Sequence, residues 1–289
     1  MDQPKLMRRS VVNWKKQSSA ISRIPMTKHH GYLTEMKGKK YVFDFETDIS
    51  AIEIPETLNN PFGSYIPDIA RIAAEEFQLF IDSESAGWEK DDPLMQGKMF
   101  GVLVVEIYPG KYGYLATNSG STPADKACLN FTPSVFDVST DDFFISKGMQ
   151  VLSEISSRIL NSDNPTEIDS LRASRKLKSH ALQKQLFENY QFINVLGKWE
   201  NVVSIFEQST KRKPPSAAGD CAAPKLLQHA FEIGLKPIAL TEFWWGKPSK
   251  NMEREHKVFY PACKSKCRPI LEYMLDDYTL YDRAKDEQD

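Results

Sequence analysis

The chain has 289 residues with 37 basic against 39 acidic side chains, a net charge of -2, so no global positive excess marks it for nucleic acid and such a role must rest on a local basic face. Hydrophobic content of 41% and charged content of 26% suit one large or two modest globular domains, and no apolar run approaches the roughly 20 residues of a membrane span. Four cysteines without a secretory signal point to the cytoplasm, where thiols or metal ligands are expected in place of disulfides.

Residues 1–40 read as a flexible basic leader, without the apolar core or small-residue cleavage site of a secretory signal. KKYVFDFE, from Lys39, alternates as a strand does. Pro67 then stands near a helix start, and Ile69, Ile72, Ala73, Phe77 and Phe80 recur at helical spacing, which predicts a core-facing stripe. Two β-rich runs follow, 99–108 and 112–118, joined by a Pro-Gly turn. The first is almost wholly apolar, as expected of a strand buried on both faces in the middle of a sheet. Cys128 falls in a loop with no partner nearby. A helix with Ser139 or Thr140 as its N-cap comes next.

The segment 164–197 places Arg172, Arg175, Lys176, Lys178 and Lys184 on one predicted helix, with Leu171, Leu182, Leu186 and Phe187 as its apolar stripe. Such a helix is either a solvated face or a surface that tracks a phosphate backbone. A short strand (YQFINVLG), a short helix (ENVVSIFEQ) and a basic, Pro-rich loop (TKRKPPSAAGDC) lead to Cys221 and a further helix. GLKPIALTEFWWG reads as a buried strand ending in an aromatic cluster. Beyond a polar loop, FYPACKSKCRPILEYML gives a last helix with Leu271, Met274 and Leu275 on its apolar face. This order implies an α/β fold, a central sheet flanked by helices. The expected organisation is one domain over 41–276, with a helical insertion at about 139–190 and an acidic, frayed tail at 277–289.

Cys221 opens one helix, and Cys263 and Cys267 lie at the start of another. Helix N-termini favour the thiolate, which is the form that ligates zinc. Cys263 and Cys267 are four apart and would share one helix face. His256, in the loop just before them, is the expected fourth ligand. The alternatives are buried apolar thiols and a redox role. EFWWG, with Trp244 and Trp245, is either core packing or a stacking platform for an unpaired base.

This layout, with a cysteine opening one helix and paired cysteines opening the next, resembles the zinc deaminase (cytidine deaminase-like) three-layer fold. In those enzymes a glutamate two residues after the first ligand shuttles a proton. Here that position is Ala223, which can carry none. Asp220 and Glu242 are the carboxylates that would have to substitute, and neither has the required spacing.

A more specific resemblance runs in order from about 54 to 275. GKMFGVLVV, FTPSVFD, LQKQLFENYQFINVLG, PPSAAGDCAAPKLLQHAF, GLKPIALTEFWWGKPSK and FYPACKSKCRPILEYML together resemble the N-terminal extension of a subset of bacterial RluA-type RNA pseudouridine synthases. The synthase's Arg-Leu-Asp motif does not occur here, so this chain alone is not expected to make pseudouridine. The resemblance implies work alongside modification of ribosomal or transfer RNA, with a synthase acting in trans as a partner. Arg254 and His256 match its pattern, and Arg254 joins Trp244 and Trp245 as an expected RNA contact. The sequence therefore predicts a non-catalytic, zinc-stabilised RNA-binding module. The alternative is a divergent zinc-dependent enzyme acting on a nucleobase or nucleotide.

Overall fold

The computed structural model describes residues 41–122, 126, 129–136, 143–249 and 254–275. The leader, Cys128, the expected caps Ser139 and Thr140, and the tail lie outside the described residues. In chain order the elements are β1 (Val42–Phe43), α1 (Asp68–Ser85), β2 (Lys98–Tyr108), β3 (Lys111–Asn118), α2 (Phe143–Asn161), α3 (Pro165–Glu188) and β4 (Gln191–Ile193). They continue with β5 (Trp199–Asn201), α4 (Val202–Thr210), α5 (Ala222–Ile233), β6 (Lys236–Trp245), β7 (Phe259–Tyr260) and α6 (Cys267–Met274).

The Pro-Gly turn closes β2 and β3 into a hairpin, and the main sheet runs β1-β3-β2-β6-β7 with every neighbouring pair antiparallel. Side chains of a strand alternate between its faces, which divides the core in two. Leu103, Val105 and Leu240 pack with α4, α5 and α6 on one side. Phe100, Val102, Val104, Ile238 and Phe243 pack with α1 on the other. Helices on both faces explain why β2 is almost continuously apolar although its neighbours are antiparallel. β4 and β5 form a separate two-stranded ribbon.

Pro67 precedes α1 with φ -57°, a value its ring presets. The buried face of α1 is Ile69, Ala70, Ala73, Ala74, Phe77 and Ile81, rotated from the expected stripe. Ala70 and Ala74 present little bulk to the sheet, and Ile72 and Phe80 move to half-buried positions. α2 and α3 form a helical pair at 143–188 whose main packing is against each other, burying Leu152, Ile155 and Leu171. Asn164 caps α3 by accepting from the amides of Thr166 and Glu167 at 3.1 and 3.4 Å. Among the described residues no helix is long and apolar enough to cross a membrane.

Gly234, at φ +79°, ends α5, and the chain enters β6 at Lys236. So short a return lays α5 back along β6, with its N-terminus beside the C-terminal end of that strand. Gly101 of β2 makes room for this approach. A Cβ there would lie 3.1 Å from both Ala222 Cβ and Leu226 Cδ1. The closeness brings Cys221 to the same end of the sheet as Glu242.

Candidate metal centre

Cys221 is the N-cap of α5, and its side chain caps no backbone amide, which leaves the thiol free for other partners. Cys267 opens α6. Cys263 precedes that helix, separated by a turn through Lys264, Ser265 and Lys266, so the pair does not share a helix face as the four-residue spacing suggested. The turn nonetheless folds Cys263 Sγ to 3.3 Å from Cys267 Sγ. The three sulfurs of Cys221, Cys263 and Cys267 lie within 4.8 Å of one another. Tetrahedral zinc with bonds of about 2.3 Å sets its sulfurs about 3.8 Å apart, so the donor set fits zinc with small adjustments.

The thiols share protons unequally. Hydrogen bonds from Cys221 and Cys267, with help from the amides of Lys266 and Cys267, hold Cys263 well below the ordinary thiol range. Donation to Cys263 pushes Cys221 up. Hydrogen bonds to Cys221 and Cys263, together with burial, push Cys267 up. A cation entering this group would displace protons from the last two, so its binding would strengthen with pH.

Glu242, only 5% exposed, approaches from β6. Its Oε1 accepts the Ala223 N–H at 3.2 Å. Burial pushes its carboxyl up to about 7, opposed by the Ala223 hydrogen bond. Its charge acts on Cys221 and Cys267 in turn. Glu242 also lines a cavity of about 340 Å³ with Tyr65, Arg71, Tyr260 and Ala262. Asp220 is engaged elsewhere. Its Oδ1 accepts the Tyr190 hydroxyl at 2.5 Å, and burial raises its carboxyl.

His256 does not join the thiols. The loop carrying it folds back on β6, where Trp244 N–H bonds Val258 O at 2.9 Å. His256 Nδ1 accepts the Gly246 N–H at 3.0 Å, and its ring lies 4.4 Å from that of Trp245. The expected fourth ligand is therefore committed to a turn. Among the described residues the metal-ligating group consists of the three cysteines.

The two tryptophans part company. Trp245 is 1% exposed and packs 6.2 Å from Phe100, so it belongs to the core and offers no face to RNA. Trp244, one residue earlier and so on the opposite face, is half-buried. The Arg254 guanidinium lies 5.5 Å from its ring and 5.4 Å from that of Tyr260. On the helical pair, Arg172, Arg175 and Lys176 line an open cavity of about 580 Å³ with Ser156, Ser179 and His180. Arg175 Nε donates to Ser156 Oγ at 2.8 Å. Lys178 and Lys184 are exposed but do not line it.

Sequence reasoning missed Tyr190 and Lys225. Lys225 is buried, donates to Asn118 O at 2.6 Å and Gly120 O at 2.9 Å, and is pushed down to about 8 by burial. Its signal was available: it stands one turn after Cys221 in a helix that is otherwise almost free of charge. Comparison with known proteins finds no matching family model, no matching curated relative and no matching solved structure.

Proposed function

We propose that the chain is a zinc-binding module of deaminase-like layout that acts on a nucleobase of RNA, with Cys221, Cys263 and Cys267 holding the ion. The observation carrying this reading is the convergence of three thiols beside a buried carboxylate, with no fourth protein ligand among the described residues. Structural zinc sites close with four protein ligands, whereas catalytic ones keep a position open. Bound zinc would supply Lewis acidity at that position. Glu242, whose carboxyl burial pushes up, is the carboxylate at hand to carry a proton.

The order of parts supports the layout: a hairpin, a helix opened by one thiol, a strand, and a helix opened by a second thiol with the third on the turn just before it. The deaminase glutamate would stand at Ala223, two residues after the first ligand. Here the Ala223 amide holds Glu242 instead, so a carboxylate reaches the same neighbourhood from the strand. Trp244, Arg254 and Tyr260, all half-buried and grouped by the Arg254 guanidinium, offer an edge on which an unpaired base could stack. The resemblance to the synthase extension supports RNA as the source of that base.

A second reading, a non-catalytic zinc-stabilised RNA-binding module working with a synthase in trans, is favoured by Ala223 itself, which leaves the deaminase spacing without an acid. One experiment decides between them. Zinc-loaded protein is incubated with single-stranded RNA, cytidine or adenosine, and ammonia release is followed. The enzymatic reading expects turnover that Glu242→Gln lowers by about 10²–10⁴-fold with zinc retained. RNA binding without ammonia release gives the site to the second reading.

A further inference from the structure

Two hydrogen bonds hold the residue immediately before the Cys221 thiol, and two more brace the loop that one of them reaches. Tyr190, buried at the end of the helical pair, donates its hydroxyl to Asp220 Oδ1 at 2.5 Å. The main-chain carbonyl of Asp220 accepts the Gly120 N–H at 2.7 Å. Lys225, one turn into α5, ties the same loop down through Asn118 O at 2.6 Å and Gly120 O at 2.9 Å. Gly219, at φ +101°, lets the chain reach this position, because a Cβ there would stand 2.6 Å from the Tyr190 ring. Asp220 is half-buried and Lys225 fully buried, and charged groups withdrawn from water cost free energy unless they are paired. Core packing alone needs neither.

We propose that Tyr190, Asp220 and Lys225 are positioning residues for the first metal ligand, fixing the turn that presents the Cys221 thiol to Cys263 and Cys267. Outer contacts of this kind set the direction of a ligand and the tightness of its metal. Lys225 locks the loop after β3 onto α5 from one side. Tyr190 locks Asp220 from the other. Tyr190 also packs 6.4 Å from Phe187 in the last turn of α3, so the same clamp joins the basic helical pair to the thiol site. The arrangement predicts that a change at Tyr190 is read at the metal even though its hydroxyl ligates nothing.

This inference rests on the metal site proposed above, and the test separates the two. Cobalt(II) and zinc(II) are titrated into reduced full-length protein against a chromophoric chelator, and the sulfur-to-cobalt absorption is recorded. Wild type binds one ion with an intense thiolate band. Tyr190→Phe and Asp220→Ala each bind about 10–100-fold more weakly with a shifted cobalt spectrum. Asp220→Asn, whose side-chain oxygen can still accept from Tyr190, stays within about threefold of wild type. The double variant Tyr190→Phe/Asp220→Ala is no weaker than either single one, because both remove one contact. Circular dichroism of the metal-free variants reports folding separately. Wild type that binds no ion overturns the metal site itself. Wild type that binds, with Tyr190→Phe unchanged in affinity and spectrum, overturns the positioning role alone. So does Asp220→Asn falling as far as Asp220→Ala.

Discussion

His229 gives the sharpest prediction about stability. It is 6% exposed, and neither ring nitrogen has a hydrogen-bond partner. Its ring meets Tyr41 edge-on at 5.1 Å. Burial lowers its pKa from 6.5 to about 4, so the folded protein resists protonating it while the unfolded chain does not. The unfolded state then binds more protons through this interval, and stability falls as the pH drops through it. The loss amounts to roughly 2 kcal/mol between pH 7.5 and pH 5 and about 3 kcal/mol by pH 4. Glu242 works in the other direction. Its folded value of about 7 lies above its ordinary 4.5, so ionising it in the fold costs stability as the pH rises between those values. The difference between wild type and His229→Phe at each pH cancels that contribution. The variant keeps the edge-on contact and removes two unpaired buried nitrogens, so it is expected to match or exceed wild type at pH 7.5. Its advantage should grow by roughly 2 kcal/mol at pH 5. Urea unfolding of metal-free, reduced protein at the two pH values measures this. An advantage that does not change with pH would refute the reasoning, since His229 would then titrate alike in both states.

Trp245→Ala is expected to lower the urea-unfolding free energy by about 3–5 kcal/mol, because it empties a fully buried site. Trp244→Ala is expected to cost less stability than Trp245→Ala, losing its bond to Lys247 O and its packing on Gly97, and to weaken single-stranded RNA binding by about 1–3 kcal/mol in fluorescence anisotropy. Replacing Arg172, Arg175 and Lys176 together by Ala should flatten the salt dependence of that binding by about two in log–log slope, if each meets one phosphate. Replacing Lys178 and Lys184 should flatten it less. Gly101→Val should destabilise by about 1–3 kcal/mol and loosen the metal, because its side chain would press on Ala222 and Leu226 at the start of α5. Thermal melts and chelator competition report the two effects.

The hairpin, the flanking helices and the α/β class could be read from periodicity, because they depend on contacts between near neighbours in sequence. The three thiols were also legible, since two helix starts and a short spacing point to one end of a sheet. What periodicity could not supply was register. Gly101 sits opposite Glu242 in the β2–β6 ladder, and that pairing, across 141 positions, is what delivers the carboxylate to α5. His256 shows the same limit. Nearness in sequence to Cys263 suggested a ligand, but the loop's backbone bonds to β6 aim the imidazole at Gly246. The two tryptophans of EFWWG divide into a core residue and a half-buried one, and only strand alternation resolved them. Tyr190 escaped notice because its partner is 30 residues away.

The central claim is a three-thiolate metal site built by Cys221, Cys263 and Cys267, with no fourth protein ligand among the described residues. X-ray absorption at the zinc edge of the purified, zinc-loaded protein tests it most directly. The expected first shell is three sulfurs at about 2.3 Å and one lighter oxygen or nitrogen neighbour at about 2.0–2.2 Å, with one zinc per chain. Four sulfurs, which would bring in Cys128, or a chain that holds no zinc at all, would contradict it.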